Sequence, residues 1–122
     1  MARKPKILLV EDQREVAETF MEWLKSRGFR PALAHCGLTG RALAKVTRPD
    51  LIILNHLMPG MLGLDILREL RDDAQTADIR VIMSSGMQGI HEQAALAGAN
   101  GAIAYPCERE ELLDAVERVL AL

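Results

Sequence analysis

Pro49-Asp50-Leu51-Ile52-Ile53-Leu54-Asn55-His56-Leu57-Met58-Pro59-Gly60 is the stretch that decides the fold. Its apolar run, Leu51 to Leu54, shows no alternation of polar and apolar residues. A strand of that kind is covered on both faces, as in a parallel sheet flanked by helices. Two more runs read the same way, Lys6-Ile7-Leu8-Leu9-Val10 upstream and Arg80-Val81-Ile82-Met83 downstream. Weaker ones lie at Arg30-Pro31-Ala32-Leu33-Ala34 and Gly101-Ala102-Ile103-Ala104.

Helix-sized segments separate these strands. Val16, Phe20, Trp23 and Leu24 recur at three- and four-residue spacing, with Asp12 placed to cap the start and Gly28 just past the end. Leu38, Ala42, Leu43 and Val46 predict a second helix that stops before Pro49. Leu64, Leu67 and Leu70 mark a third, and Ile90, Ala94 and Ala97 a weaker fourth. Leu112, Val116, Val119 and Leu120 form the last, with Glu108, Glu110 and Glu111 at its start, where the helix dipole favours negative charge. Strand and helix alternate along the whole chain, so the expectation is one α/β domain spanning 1–122 around a five-stranded parallel sheet.

Composition narrows the function. Of 122 residues, 49% are apolar, enough for a domain-sized core. Fifteen Lys and Arg against 17 Asp and Glu give a formal net charge of −2, which argues against a grip on nucleic acid by phosphate neutralisation. No apolar run approaches the roughly 18–20 residues of a membrane span, and the basic start is followed by too short an apolar run for a signal peptide. Cys36 and Cys107 lack metal-ligand spacing and read as reduced thiols of a cytoplasmic protein.

In a doubly wound sheet, ligands sit at the carboxyl ends of the strands. Those ends carry Glu11 and Asp12, then Asn55 with His56, then Ser84, Ser85 and Gly86, then Tyr105 and Pro106. Adjacent carboxylates suit a hard cation such as Mg²⁺. The alternative is that Asp12 caps the first helix and Glu11 is solvated. No strand is followed by a Gly-rich phosphate loop, and Ser85 has no evident base beside it, so neither a nucleotide fold nor a hydrolase is indicated. His56 reads as a loop residue.

At this point the chain resembles a known family, the receiver domains of two-component response regulators. The resemblance runs from about Lys6 to Leu120 and rests on Ile7-Leu8-Leu9-Val10-Glu11-Asp12, on Pro49 to Gly63, on Val81-Ile82-Met83-Ser84-Ser85-Gly86, and on Gly98-Ala99-Asn100-Gly101 leading to Tyr105-Pro106. It implies a flavodoxin-like three-layer α/β/α sandwich with strand order 2-1-3-4-5. It also implies a site in which an Asp ending the third strand accepts a phosphoryl group from a kinase histidine. Glu11 and Asp12 match the acidic pair that holds Mg²⁺ in that family, the carbonyl of Leu57 the backbone metal ligand, and Ser85 the phosphate-binding hydroxyl.

Three positions depart from the family pattern. The phosphoacceptor position is Asn55, a neutral amide and a poor nucleophile. The position of the phosphate-binding Lys is Tyr105, and that of the aromatic switch is Ala102. Acceptor, cation and switch are absent together, which speaks for a natural degenerate receiver rather than a single blocking substitution. Losing one Asp and one Lys leaves the formal pocket charge at −2, provided Glu11 and Asp12 are both ionised. The expectation is a pseudo-receiver with no enzymatic activity and no required cofactor, binding Mg²⁺ weakly or not at all. It would act through a protein partner: a sensor kinase, a phosphorelay component or an output domain. A homodimer through the fourth helix, fifth strand and fifth helix is a further expectation, with no contact to nucleic acid or membrane by this domain. Two alternatives stand beside it. Residual phosphotransfer would use His56 or Ser85, or Asn55 deamidated to Asp. A small-molecule sensor would use the vacated pocket, with Tyr105, Glu11, Asp12 and Asn55 as contacts. The sequence fits a stand-alone domain as well as the N-terminal part of a longer chain.

Overall fold

The computed structural model describes residues 3–122. The elements alternate as β1 (Lys6–Val10), α1 (Arg14–Ser26), β2 (Arg30–Ala34), α2 (Gly37–Thr47), β3 (Leu51–Asn55), α3 (Gly63–Asp72), β4 (Arg80–Ser85), α4 (Ile90–Leu96), β5 (Gly101–Ala104) and α5 (Arg109–Leu120). All strand pairs are parallel, and the sheet runs β2-β1-β3-β4-β5. This is the expected three-layer sandwich. Among the described residues no helix is long and apolar enough to cross a membrane.

The unalternating strand runs are explained by two cores, one on each face. Successive side chains of a strand point to opposite sides. Leu8 and Val10 of β1, Ile52 and Leu54 of β3, and Val81 and Met83 of β4 therefore pack under α2, α3 and α4. Ile7 and Leu9, Leu51 and Ile53, and Ile82 pack under α1 and α5. Every one of these residues is buried, so a polar substitution at any of them would place a polar group in a core.

One local reading of the sequence is corrected and another gains detail. Asp12 does not cap α1, since Gln13 holds that position without a side-chain hydrogen bond. Helix α2 forms where the spacing puts it and stops before Pro49, but of its four marker residues only Leu43 packs partly against the core: Leu38 is 61% and Val46 82% exposed, while Gly37, Gly40 and Ala44 face inward. The reason is spacing between layers. A Cβ on Gly40 would lie 2.7 Å from Cγ2 of Val10, so the helix lies against β1 more closely than a larger residue allows. The strong α3 and α5 patterns hold, with Leu64, Leu67, Leu70, Leu112, Val116 and Val119 all buried. In α4, Ala94 is buried beside Ile90, whereas Ala95 and Leu96 face solvent.

Candidate functional site

Parallel register brings the strand ends level. Val10, the last residue of β1, pairs with Leu54, and Asn55 pairs with Ser84. Ser85 pairs with Ala104, so Glu11, Asn55, Ser85 and Tyr105 emerge side by side along one edge. The N–H of Glu11 donates to the Ala34 carbonyl at 3.0 Å, and that of Tyr105 to the Ser85 carbonyl at 3.2 Å, fixing the outer two. A cavity of about 160 Å³ lies between them, lined by Glu11, Gln13, Val16, Asn55, Leu57, Ser85, Gly86 and Tyr105.

The centre of the cluster is the Asn55 carboxamide. Its Nδ2 donates to Glu11 Oε2 at 3.1 Å, to Asp12 Oδ1 at 3.2 Å and to the Leu57 carbonyl at 3.0 Å. Two N–H bonds thus serve three acceptors, so at least one is shared. The orientation of the amide follows from its partners. Turned over, Asn55 would set its own oxygen against two carboxylate oxygens and a carbonyl. Glu11 is 3% exposed, and its Oε2 also accepts the N–H of Gln13 at 3.0 Å. Burial, and secondarily the neighbouring Asp12, raise its carboxyl from the ordinary 4.5 to about 7, against the opposing pull of the Gln13 N–H. Glu11 is therefore partly protonated at neutral pH, and the formal pocket charge of −2 overstates the real one.

The remaining strand-end residues divide. Ser85 is buried, and its Oγ accepts the N–H of Met87 at 2.9 Å. Tyr105 neither fills the cavity nor leaves it: the residue is 39% exposed, its ring meets Phe20 edge-on at 6.2 Å, and the Tyr105–Pro106 peptide is cis. Among the described residues no Lys or Arg lines the cavity. His56 turns away from it and is buried, its Nδ1 accepting the N–H of Leu64 at 3.2 Å. Burial holds its imidazole below the usual range. Ala102 lies outside the cavity and lines a separate groove of about 320 Å³ with Ala104, Glu111, Asp114 and Arg118.

Two glycines that fall in the motif stretches shape the site through close backbone contacts that residue type alone does not show. A Cβ on Gly63, the first residue of α3, would lie 2.2 Å from the Asn55 carbonyl oxygen and 2.8 Å from His56 Cα. The N–H of Gly63 donates to the His56 carbonyl at 2.7 Å, which docks α3 directly behind Asn55. A Cβ on Gly86 would meet the Tyr105 carbonyl at 2.4 Å. Gln13 is a third residue missed: its N–H contact to Glu11 comes from the backbone and leaves no trace in residue type.

The oxygens of Glu11, Asp12 and Leu57 converge as a hard cation would require. The point they converge on is taken by a nitrogen that donates to all three. Mg²⁺ needs oxygens at about 2.0–2.1 Å around itself. As arranged, these residues do not fit the metal. Among the described residues there is also no group of three or more His, Cys, Asp or Glu that could hold one.

A 2-1-3-4-5 sheet carrying an acidic pair beside the end of its third strand defines a class, the doubly wound domains that keep a small polar cleft at the carboxyl edge. Within that class the chain belongs to the response regulator receiver domain family, whose model matches residues 7–117. It is 32% identical over 118 residues to the DNA-binding dual master transcriptional regulator RpaA of Synechocystis, covering 95% of this chain and 49% of that one. Over 117 residues it is 31% identical to the response regulator MprA of Mycobacterium tuberculosis, covering 94% and 50%. The chain thus spans about half the length of these relatives. Among solved structures, a response regulator from Chloroflexus aurantiacus superposes with a TM-score of 0.93 at 27% identity, covering 98% of this chain and all of that one. The receiver domain of the sensor histidine kinase PA1611 from Pseudomonas aeruginosa, which has magnesium coordinated in its active site cleft, matches at 0.89 and 28%, covering 98% and 99%.

Proposed function

We propose that this receiver domain is a pseudo-receiver, which signals by binding a protein partner and is not phosphorylated itself. The observation that carries this reading is Asn55. At the end of β3, where the family resemblance implies the phosphoacceptor, stands a neutral amide whose NH₂ is committed to Glu11, Asp12 and Leu57. An amide oxygen is too weak a nucleophile to take a phosphoryl group. The surroundings support the same reading. A transferred phosphoryl group needs positive charge on its oxygens, and the residues lining the cavity supply none, with Tyr105 at the position implied for Lys.

The partner surface is the face built by α4, β5 and α5. There Leu96 is 90% exposed, and no aromatic residue is among those lining the groove beside Ala102. A sensor kinase, a phosphorelay component, an output domain or a second copy of the chain would bind this face, without nucleic-acid or membrane contact by the domain itself. The vacated-pocket alternative is less well supported, because about 160 Å³ is roughly half the smallest volume usual for a small-molecule pocket. The test is affinity capture from host lysate with the wild type and with Leu96→Glu, each with and without acetyl phosphate. The reading expects a partner retained equally in both conditions and lost in the variant. Capture that depends on the phosphodonor would overturn it.

A further inference from the structure

We infer that the Asn55 carboxamide is a resident substitute for a divalent cation, so that the pocket is complete without metal. This deepens the pseudo-receiver reading and rests on it for the role of the site. Glu11 Oε2, Asp12 Oδ1 and the Leu57 carbonyl come from the end of β1 and from the loop after β3, and all three turn toward one point. Three oxygens directed at each other repel unless something electropositive lies between them. Either a hard cation or an N–H donor can do this. Here the amide nitrogen stands 3.0–3.2 Å from all three. It joins β1 to β3 and to the β3–α3 loop through one atom. A metal at that point is incompatible with the nitrogen there, and Asn55 would first have to surrender its three bonds.

An Asp at this position reverses the logic. It keeps the shape of the side chain, removes the donor and adds a further carboxylate, so the same oxygens then require a cation. The wild type, Asn55→Asp and Asn55→Ala are to be compared in metal-free buffer of fixed ionic strength. Melting is followed against MgCl₂, and direct binding is read from loss of the free Mn²⁺ electron-spin signal. The wild type should show no Mn²⁺ uptake at low millimolar metal and a melting temperature shifted by less than about 1 °C. Asn55→Asp should melt lower without metal, take up Mn²⁺, and recover several degrees with Mg²⁺. Asn55→Ala should melt lower and recover less. Wild-type Mn²⁺ uptake as tight as that of Asn55→Asp would overturn the inference, as would an Asn55→Asp protein equally stable without metal. If Asn55→Asp does not fold, the wild-type Mn²⁺ titration decides alone. Failure here is distinct from failure of the pseudo-receiver reading: a wild type that binds metal yet takes no phosphoryl group sinks only this inference.

Discussion

Substitution of Glu11 by Gln should change how stability depends on pH, in a direction and by an amount that follow from the site. Glu11 is almost wholly buried, with Asp12 beside it, and its carboxyl titrates near 7 in the folded chain against an ordinary 4.5. Between these values the folded chain holds a proton that the unfolded chain has released, so stability falls as pH rises. The favourable contribution is complete below about 4.5 and is lost on passing through about 7; the total is about 3 kcal/mol. That is a large part of the roughly 5–15 kcal/mol that holds a domain folded. Gln has nearly the same shape, keeps an oxygen for the Gln13 and Asn55 donors, and cannot ionise. Comparison with the variant also removes a competing effect. His56 is held below its usual range by burial and loses its bond from Leu64 when protonated, so its contribution is lost as pH falls. Urea unfolding of both proteins from pH 4.5 to 8.5 is the assay. The Glu11→Gln protein should gain on the wild type progressively, by about 3 kcal/mol across the range. Parallel pH profiles, or a gap that opens on acidification, would refute the reasoning.

Two further substitutions test how the site is held. Gly63→Ala forces a methyl group onto backbone atoms of Asn55 and His56, neither of which can move without shifting β3 or α3, so urea unfolding should show a loss at or above the usual overpacking range of about 1–3 kcal/mol. Unchanged stability would show that α3 does not dock as described. Arg71, from the end of α3, donates to the carbonyls of Ala77, Ile79 and Gly98 and to the side chain of Asn100. Arg71→Ala leaves those acceptors to find other partners, and a loss of about 2 kcal/mol or more is expected from thermal unfolding; a loss under about 0.5 kcal/mol would mean that water replaces the guanidinium without cost.

The strands were legible because burial on both faces leaves an uninterrupted apolar run, so Leu51–Leu54 reads as a buried strand from residue type alone. The α3 and α5 helices were legible for the complementary reason, large apolar residues on one face. Helix α2 was legible as a helix, but its packing face was not, because that face is made largely of Gly37, Gly40 and Ala44. Pattern reading weights large side chains, and here the small ones mark the contact. The positions of the site were legible from strand ends and family motif together, and Glu11, Asn55, Leu57, Ser85 and Tyr105 do line one cavity. What each group does there was not legible. Residue type shows that Asn55 is neutral but not which end of its amide faces the carboxylates, and the burial that raises Glu11 toward 7 arises only when α1, β1 and β3 come together. Asp12 looked like a cap because the sequence offers one, yet its carboxylate serves Asn55 instead.

The central claim is that a receiver scaffold has lost its phosphoacceptor chemistry at Asn55 and Tyr105. The most direct measurement is intact mass after incubation with Mg²⁺ and excess acetyl phosphate, with the wild type beside the Asn55→Asp, Tyr105→Lys double variant. The account predicts an unmodified wild type and a variant that gains the mass of one phosphoryl group. A wild type that gains that mass under the same conditions would contradict it, and would direct attention to the residue that accepted the group.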